Sequence, residues 1–246
     1  MNTTPVGATI NLSAYCFAPL ENLPALRDRL REVAAAGRLK GTILVSPEGI
    51  NLFVAGDRAP LDALLAVVRA QPGLGGLTTK ESLSGYQPFQ RMLVKIKREI
   101  IAFGVPGIDP ANKATARISA RTLKQWLDEG RPVTLLDARN DYEIATGTFR
   151  GAVPAGIRHF RDFPGAVARL PEALKDQTIV TFCTGGIRCE KAGPCLEQAG
   201  FSKVFQLDGG ILHYFAECGG AHYEGACFVF DERGAVTPSL EPDPTS

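Results

Sequence analysis

No apolar run in this 246-residue chain approaches eighteen residues, so the sequence offers no membrane-spanning helix. No signal for export is expected either, since Met1-Asn2-Thr3-Thr4-Pro5 has no basic n-region and no long apolar stretch behind it. Excess charge of one sign is absent too. The formal net charge is +1, so no global field draws the protein to nucleic acid, although a local basic patch stays compatible with an RNA substrate. The six cysteines, at 16, 183, 189, 195, 218 and 227, contain no Cys-x-x-Cys pair, which weighs against zinc. There is no Gly-x-Gly-x-x-Gly, and His159, His213 and His222 form no facial triad. No metal site and no cofactor is therefore identifiable. Disulfide frameworks belong to short secreted domains, so reduced thiols in a cytoplasmic protein are expected.

What remains is an ordinary globular composition, with 45% hydrophobic and 22% charged residues. The length suits one large domain or two cores of about a hundred residues each. The rhythm of the chain favours two. In the first half, Asn11–Phe17 is β-prone and Leu20–Ala36 has helical spacing ending at Gly37. Gly41–Ser46 and Ile50–Ala55 flank the turn Pro47-Glu48-Gly49 as a hairpin, and a helix follows over Pro60–Ala70. Leu77–Ser82 and Arg91–Lys97 read as further strands. This order predicts an α+β ferredoxin-like domain of the split βαβ type over residues 1–104. Residues 105–117, rich in Pro, Gly, Asp and Asn, read as a linker.

From 118 to 232 strands alternate with helices: a helix capped by Ser119, strand Val133–Asp137, a short helix from Asp141, strand Thr178–Phe182, helix Arg188–Ala199, strand Val204–Leu207 and helix Gly209–Cys218. That alternation predicts an α/β domain built on a mainly parallel sheet covered on both faces. The tail over 233–246, with three prolines from Pro238 onward, is expected to be disordered.

The informative stretch is Ile179-Val-Thr-Phe-Cys-Thr-Gly-Gly-Ile-Arg-Cys-Glu-Lys191. An apolar strand ends at Phe182, Cys183 follows at once, Gly185 and Gly186 allow a tight turn, and a helix begins near Arg188. Backbone N–H groups of the loop Thr184, Gly185, Gly186 and Ile187 would converge on the sulfur, with a helix N-terminus behind it and Arg188 adding a full charge. All three favour the thiolate, which predicts a Cys183 pKa well below the usual value of about 8.5. An inert buried cysteine is the competing reading, and Cys-x-x-Gly-x-Arg at a strand-to-helix turn favours the nucleophile.

Four marks in sequence order, Leu135-Leu136-Asp137-Ala138-Arg139, Gly147-Thr-Phe-Arg-Gly-Ala152, Cys183–Arg188 and Leu207-Asp208-Gly209-Gly210-Ile211, make residues 117 to 218 resemble a rhodanese domain. The resemblance implies a six-residue Cys-x4-Arg cradle suited to a sulfur-sized adduct. Related phosphatases use Cys-x5-Arg, so phosphatase activity is not expected. It also implies that Asp137 and Arg139 support the loop. The resemblance extends further, through Phe17-Ala-Pro-Leu-Glu21, Lys40-Gly-Thr-Ile-Leu-Val-Ser-Pro-Glu-Gly-Ile-Asn51, Gln87-Pro-Phe89, Lys97-Arg-Glu-Ile100, Asp137–Glu143, Phe182–Lys191 and Cys227-Phe-Val-Phe-Asp231. Over residues 11 to 233 the chain resembles the bacterial rhodanese-like tRNA uridine hydroxylases. That resemblance implies oxygen-dependent conversion of the wobble uridine to 5-hydroxyuridine, tRNA as substrate, molecular oxygen as co-substrate, and a required cysteine at the position of Cys183. Many members continue past the Cys227–Asp231 motif with a Cys-rich extension, which this sequence does not contain. A sulfurtransferase working through a Cys183 persulfide is the alternative function.

Other candidates have two readings each. Cys189 either resolves an oxidised Cys183 as a disulfide or packs its helix on the sheet. Cys16, Cys195, Cys218 and Cys227 read as core. Glu143 either approaches the cradle or lies on a solvated helix face, and Asp208 is expected to order the loop before the last helix. Lys40, Arg91, Lys95 and Lys97, with Lys80, Arg98, Tyr86 and Phe89 nearby, fit a tRNA-binding surface. The alternation of Arg91, Leu93, Lys95 and Lys97 equally fits a half-exposed strand. The sequence leaves the oligomeric state open.

Overall fold

Alternating apolar side chains organise the first half. In β1 (Thr9–Phe17) the buried residues Ile10, Leu12 and Ala14 point one way, and the half-buried Ser13, Tyr15 and Phe17 point the other. The computed structural model describes residues 8–244, so the Met1–Pro5 segment, where no export signal is expected, and the last two residues lie outside the described residues. The chain divides into two units, Met1–Ile101 and Ala102–Ser246.

The first unit continues with α1 (Leu23–Ala36), β2 (Lys40–Ser46), β3 (Gly49–Gly56), α2 (Arg58–Arg69), β4 (Lys80–Ser84) and β5 (Met92–Ile96). Its sheet runs β4-β1-β3-β2-β5, antiparallel throughout except for the parallel β2–β5 pair. The first four strands show the interleaving of a ferredoxin-like fold, as the sequence predicts, and β5 extends the sheet beside β2. Leu26, Leu30 and Ala34 on α1 and Leu61, Leu64, Leu65 and Val68 on α2 recur at helical spacing. They pack with Ile10, Leu12, Ile43, Val45, Leu52, Val54 and Val94 in one core, so both helices cover the same face of the sheet. β4 starts three residues later than the sequence suggests. Leu77 is buried in the turn after α2, and pairing with β1 begins at Lys80 opposite Ser13.

The second unit holds β6 (Ala116–Ile118), α3 (Ala120–Asp128), β7 (Val133–Asp137), α4 (Asp141–Ile144), β8 (Gly147–Phe149), β9 (Val153–Pro154), α5 (Phe163–Val167), β10 (Thr178–Phe182), α6 (Cys189–Gln198), β11 (Lys203–Leu207), α7 (Gly210–Cys218), β12 (Tyr223–Gly225), β13 (Cys227–Phe228) and β14 (Ala235–Val236). Five parallel strands in the order β6-β11-β10-β7-β9 form the sheet, with α3 packed on α7 and α5 on α6. This is the α/β unit with a parallel sheet that the alternation predicts. Phe149 sits in its core, with the rings of Phe182, Tyr214 and Tyr223 edge-on at 5.0, 4.8 and 5.2 Å.

Two expectations need correction. Residues 105–117 are not simply a linker, because Ala116 and Arg117 belong to β6, and the second unit already begins at Ala102. Phe103 is buried and lies 4.9 Å from Phe160. One apolar anchor and a three-residue strand are too brief to show a period, so composition alone hid them. The tail is ordered through Pro244: Ala235 and Val236 are buried, β14 pairs with β13, and the Asp243 amide donates to the Ala235 carbonyl at 3.0 Å. Prolines fit there because a turn and an edge need few N–H donors.

Candidate active site

Cys183 leaves the C-terminal end of β10, a central strand, and is fully buried. Gly186 takes φ +97°, a conformation L side chains resist, and this turns the chain so that its own N–H donates to Cys183 Sγ at 3.1 Å. The Arg188 amide donates to the same sulfur as α6 begins, and so does the Cys189 thiol. The loop carbonyls point elsewhere. Those of Cys183 and Thr184 accept from the Ile211 and Leu212 amides, both at 3.0 Å, in the first turn of α7. Gly210, at φ +69°, makes this contact possible, since a Cβ there would run into the Cys183 carbonyl oxygen and lie 2.7 Å from the Gly186 nitrogen.

Burial by itself would raise the Cys183 pKa. The Cys189 hydrogen bond, the Arg188 charge and the two backbone amides outweigh it and pull the thiol down to about 6. Cys189 moves the other way. Burial and the adjacent Cys183 push it well above the ordinary thiol range, which keeps it a protonated donor.

Arg188 is itself buried and held from the far side. Its two terminal nitrogens donate to the two Glu143 carboxylate oxygens at 2.6 Å each. Glu143 lies on α4 and is fully buried, which excludes the solvated-face reading. Its Oε2 also accepts from the Asn140 amide at 3.1 Å, the return half of a capping box. Behind it, Arg139 pairs with Asp137 at 2.7 Å and donates to the Gly147 carbonyl at 2.7 Å, while the Thr148 hydroxyl donates to Asp137 at 2.7 Å. Asp137, Arg139, Glu143, Arg188 and Cys183 thus form a buried series of alternating charge ending at the Cys183 sulfur.

The remaining candidates separate into those near the loop and those away from it. Thr184 and Ile187 are buried in it, and the Thr184 hydroxyl donates to the Phe228 carbonyl at 3.5 Å. Asp208 is half exposed and accepts from Arg117 at 3.1 Å, which ties the start of the α7 turn to β6. All six cysteines are free; Cys195 and Cys227 are buried, and burial pushes Cys227 up to about 12. Cys16 and Cys218 are only partly buried. Among the described residues no group of three or more His, Cys, Asp or Glu could hold a metal ion. In the first unit, Lys40 stands two and four residues from Thr42 and Leu44, and Lys95 is registered opposite Leu44. Both therefore lie on the sheet face turned away from α1 and α2, as do Tyr15 and Phe53. Arg91 and Lys97 flank β5 at the same parity. Sequence reasoning left Glu143 open and missed Gly210 as part of the cradle. The Asn140-x-x-Glu143 spacing after a strand was the signal for the first.

A cysteine at a parallel-strand-to-helix turn, with amides on its sulfur and an arginine closing the loop, defines a rhodanese-like domain, here joined to a ferredoxin-like one. Family comparison agrees: residues 119–217 match the rhodanese-like domain, and residues 9–100 match the UPF0176 acylphosphatase like domain. A tRNA uridine(34) hydroxylase of Cupriavidus taiwanensis is 50% identical over 238 residues, covering 95% of this chain and 84% of that protein. One from Bordetella petrii is 49% identical over 240 residues, covering 96% and 95%. Among solved structures, the rhodanese-like domain of an Anabaena protein is 30% identical, with a TM-score of 0.37, and covers 44% of this chain and 78% of that one. The chain belongs to the tRNA uridine(34) hydroxylase family.

Proposed function

We propose that this protein hydroxylates the wobble uridine of tRNA, position 34, to 5-hydroxyuridine, with Cys183 as nucleophile and molecular oxygen as oxidant. One observation carries the reading: a thiol held at about pKa 6 in an amide cradle, within a chain 50% identical over 95% of its length to a protein named for this reaction. A thiolate adding to C6 of uracil turns C5 into an enolate carbon that can bond to dioxygen, giving a C5 hydroperoxide. Two electrons from a small external thiol, oxidised to its disulfide, reduce that hydroperoxide to a hydroxyl and release water. Loss of the C5 proton then expels the Cys183 thiolate and restores the C5–C6 double bond. Uridine, dioxygen and two thiols thus give 5-hydroxyuridine, one disulfide and water.

The low thiol pKa suits both halves of this cycle, since the same thiolate must attack and leave. Contact with tRNA is supported by the first unit, where Lys40 and Lys95 share with Tyr15 and Phe53 the sheet face turned away from α1 and α2. Lysines there would meet phosphates, and Arg91 and Lys97 extend the basic row. A tRNA substrate implies work in the cytoplasm, and no described helix is long and apolar enough to cross a membrane.

The test is nucleoside mass spectrometry of unmodified tRNA incubated with purified protein, oxygen and a thiol reductant. Wild-type protein should form 5-hydroxyuridine, while Cys183→Ser, or exclusion of oxygen, should abolish it. Hydroxylation by Cys183→Ser at the wild-type rate would end the proposal. The six-residue Cys183–Arg188 cradle also favours a second reading, sulfane-sulfur transfer through a Cys183 persulfide. Cyanide-dependent release of thiocyanate from thiosulfate-treated protein, without 5-hydroxyuridine, would favour that reading instead.

A further inference from the structure

We infer that Tyr142, Phe228 and Phe230 form a stacking edge for an unpaired base of the tRNA anticodon loop, beside the Cys183 loop. The three rings make an edge-to-face series, with centroids 5.4 Å apart for Tyr142–Phe228 and 5.2 Å for Phe228–Phe230. The series ends on the active loop itself, because the Arg188 guanidinium carbon lies 5.9 Å from the Phe230 ring centre. Each ring is tied to a different part of the cradle. Tyr142 precedes Glu143, which clamps Arg188; the Phe228 carbonyl accepts from Thr184; Phe230 lies on Arg188.

Exposure gives the series its meaning. Tyr142 is 51% and Phe230 48% exposed, and among the described residues of the second unit they are the large apolar side chains that stand out from the surface. The position of Phe230 is also built rather than incidental. The next residue, Asp231, accepts from Arg233 at 2.8 and 2.6 Å in a nearly buried ion pair that pins the turn behind the ring. Rings fixed this way lose little entropy on meeting a planar ligand, and every base offers a π-face to them.

The choice of an unpaired base as occupant rests on the proposed hydroxylation. A uridine can reach a thiolate only when out of its stack, and single-stranded RNA loops are recognised largely by stacking on aromatic side chains. These are positioning residues, since none is argued to touch the reacting atoms.

The experiment measures binding of a fluorescently labelled anticodon stem-loop RNA to wild-type, Phe230→Ala, Tyr142→Ala, Phe230→Trp, Tyr142→Phe and Phe230→Leu proteins. Hydroxylation kinetics and the thiolate absorbance titration of each are recorded alongside. Each alanine variant should weaken binding about tenfold, the scale of one lost base–aromatic stack. KM for tRNA should rise with little change in kcat, and the Cys183 midpoint should stay in place. Phe230→Trp and Tyr142→Phe should restore binding, and Phe230→Leu should not. Wild-type affinity in both alanine variants, or in Phe230→Leu, overturns the inference even if the protein hydroxylates tRNA. Ring-dependent binding without any 5-hydroxyuridine supports the stacking edge and removes the hydroxylase reading instead.

Discussion

Arg188 gives both terminal nitrogens to the Glu143 carboxylate, at 2.6 Å each, while only its backbone amide reaches Cys183. The arginine therefore acts on the Cys183 sulfur by charge and by fixing the loop, and its side-chain hydrogen bonds go to Glu143. Direct stabilisation of the sulfur anion comes from the Gly186 and Arg188 amides and from Cys189.

Breaking this pair from its two ends should give opposite effects on the thiol and the same effect on stability. Glu143→Gln removes the charge that offsets Arg188, so the Cys183 midpoint should fall below about 6. Arg188→Gln removes the cation and leaves Glu143 unpaired, so the midpoint should rise. Either change strands a buried charge and should destabilise the second unit by roughly 3–5 kcal/mol. Thiolate absorbance near ~240 nm, with Cys183→Ser subtracted, measures the first effect and denaturant unfolding the second. Midpoints moving in the same direction would contradict the charge series.

The pH dependence follows from the lowered Cys183 pKa. In the wild type, thiolate absorbance should appear with a midpoint of about pH 6 rather than at the ordinary thiol value of about 8.5. Because the folded pKa lies below the unfolded one, the thiolate's contribution to stability is fully present above about 9 and vanishes below about 6. The unfolding free energy of wild type relative to Cys183→Ala should therefore increase between those limits as pH rises. A flat difference across the window would mean that the cradle does not favour the anion.

The parts of this site that a reader of the sequence can see are those carried by backbone type. Cys183, the two glycines and the arginine announce a strand-to-helix turn because the glycine conformations and the helix start are local properties. The shared face of Lys40 and Lys95 is likewise readable, since strand alternation fixes parity once β2 and β5 are recognised. Glu143 is different. A four-residue helix has no period to say which side is buried; the Asn140-x-x-Glu143 spacing marks its start, and the pairing with Arg188, forty-five residues away, completes the burial. The short strands β6 and β14 escape for the same reason, and the contact of Gly210 with the loop depends on how α7 is packed.

Cys189 should matter as a donor. Its thiol is held well above the ordinary range, so at neutral pH it offers a proton to Cys183 rather than a second thiolate. A hydrogen bond to a charged group contributes about 1.5–3 kcal/mol, or roughly one to two pH units at the titrating partner. Cys189→Ala should raise the Cys183 midpoint by about that much, whereas Cys189→Ser, whose hydroxyl can donate, should leave it close to wild type. If serine raised the midpoint as far as alanine does, the donor role would be lost. Loss of hydroxylation turnover in Cys189→Ser at an unchanged midpoint would point instead to a resolving disulfide.

Gly210 offers the sharpest test of how the loop is aimed. Its left-handed backbone, φ +69°, lets the first α7 amides reach the Cys183 and Thr184 carbonyls, which leaves the loop's N–H groups for the sulfur. An alanine must adopt a conformation that costs about 1–2 kcal/mol, and its Cβ would also press on the Cys183 carbonyl and on the Gly186 nitrogen that donates to the sulfur. The loop would have to shift, and the Gly186 donor would move away from Sγ. Gly210→Ala should therefore lower the melting temperature of the second unit by several degrees and raise the Cys183 midpoint towards the ordinary thiol value. The preceding Gly209→Ala separates strain from aim. Gly209 shares φ +69°, but its Cβ would meet the His213 side chain rather than the loop. That variant should lose similar stability and keep its thiolate near pH 6. Equal midpoints in the two variants would show that α7 merely supports the fold and does not orient the amides around the Cys183 sulfur.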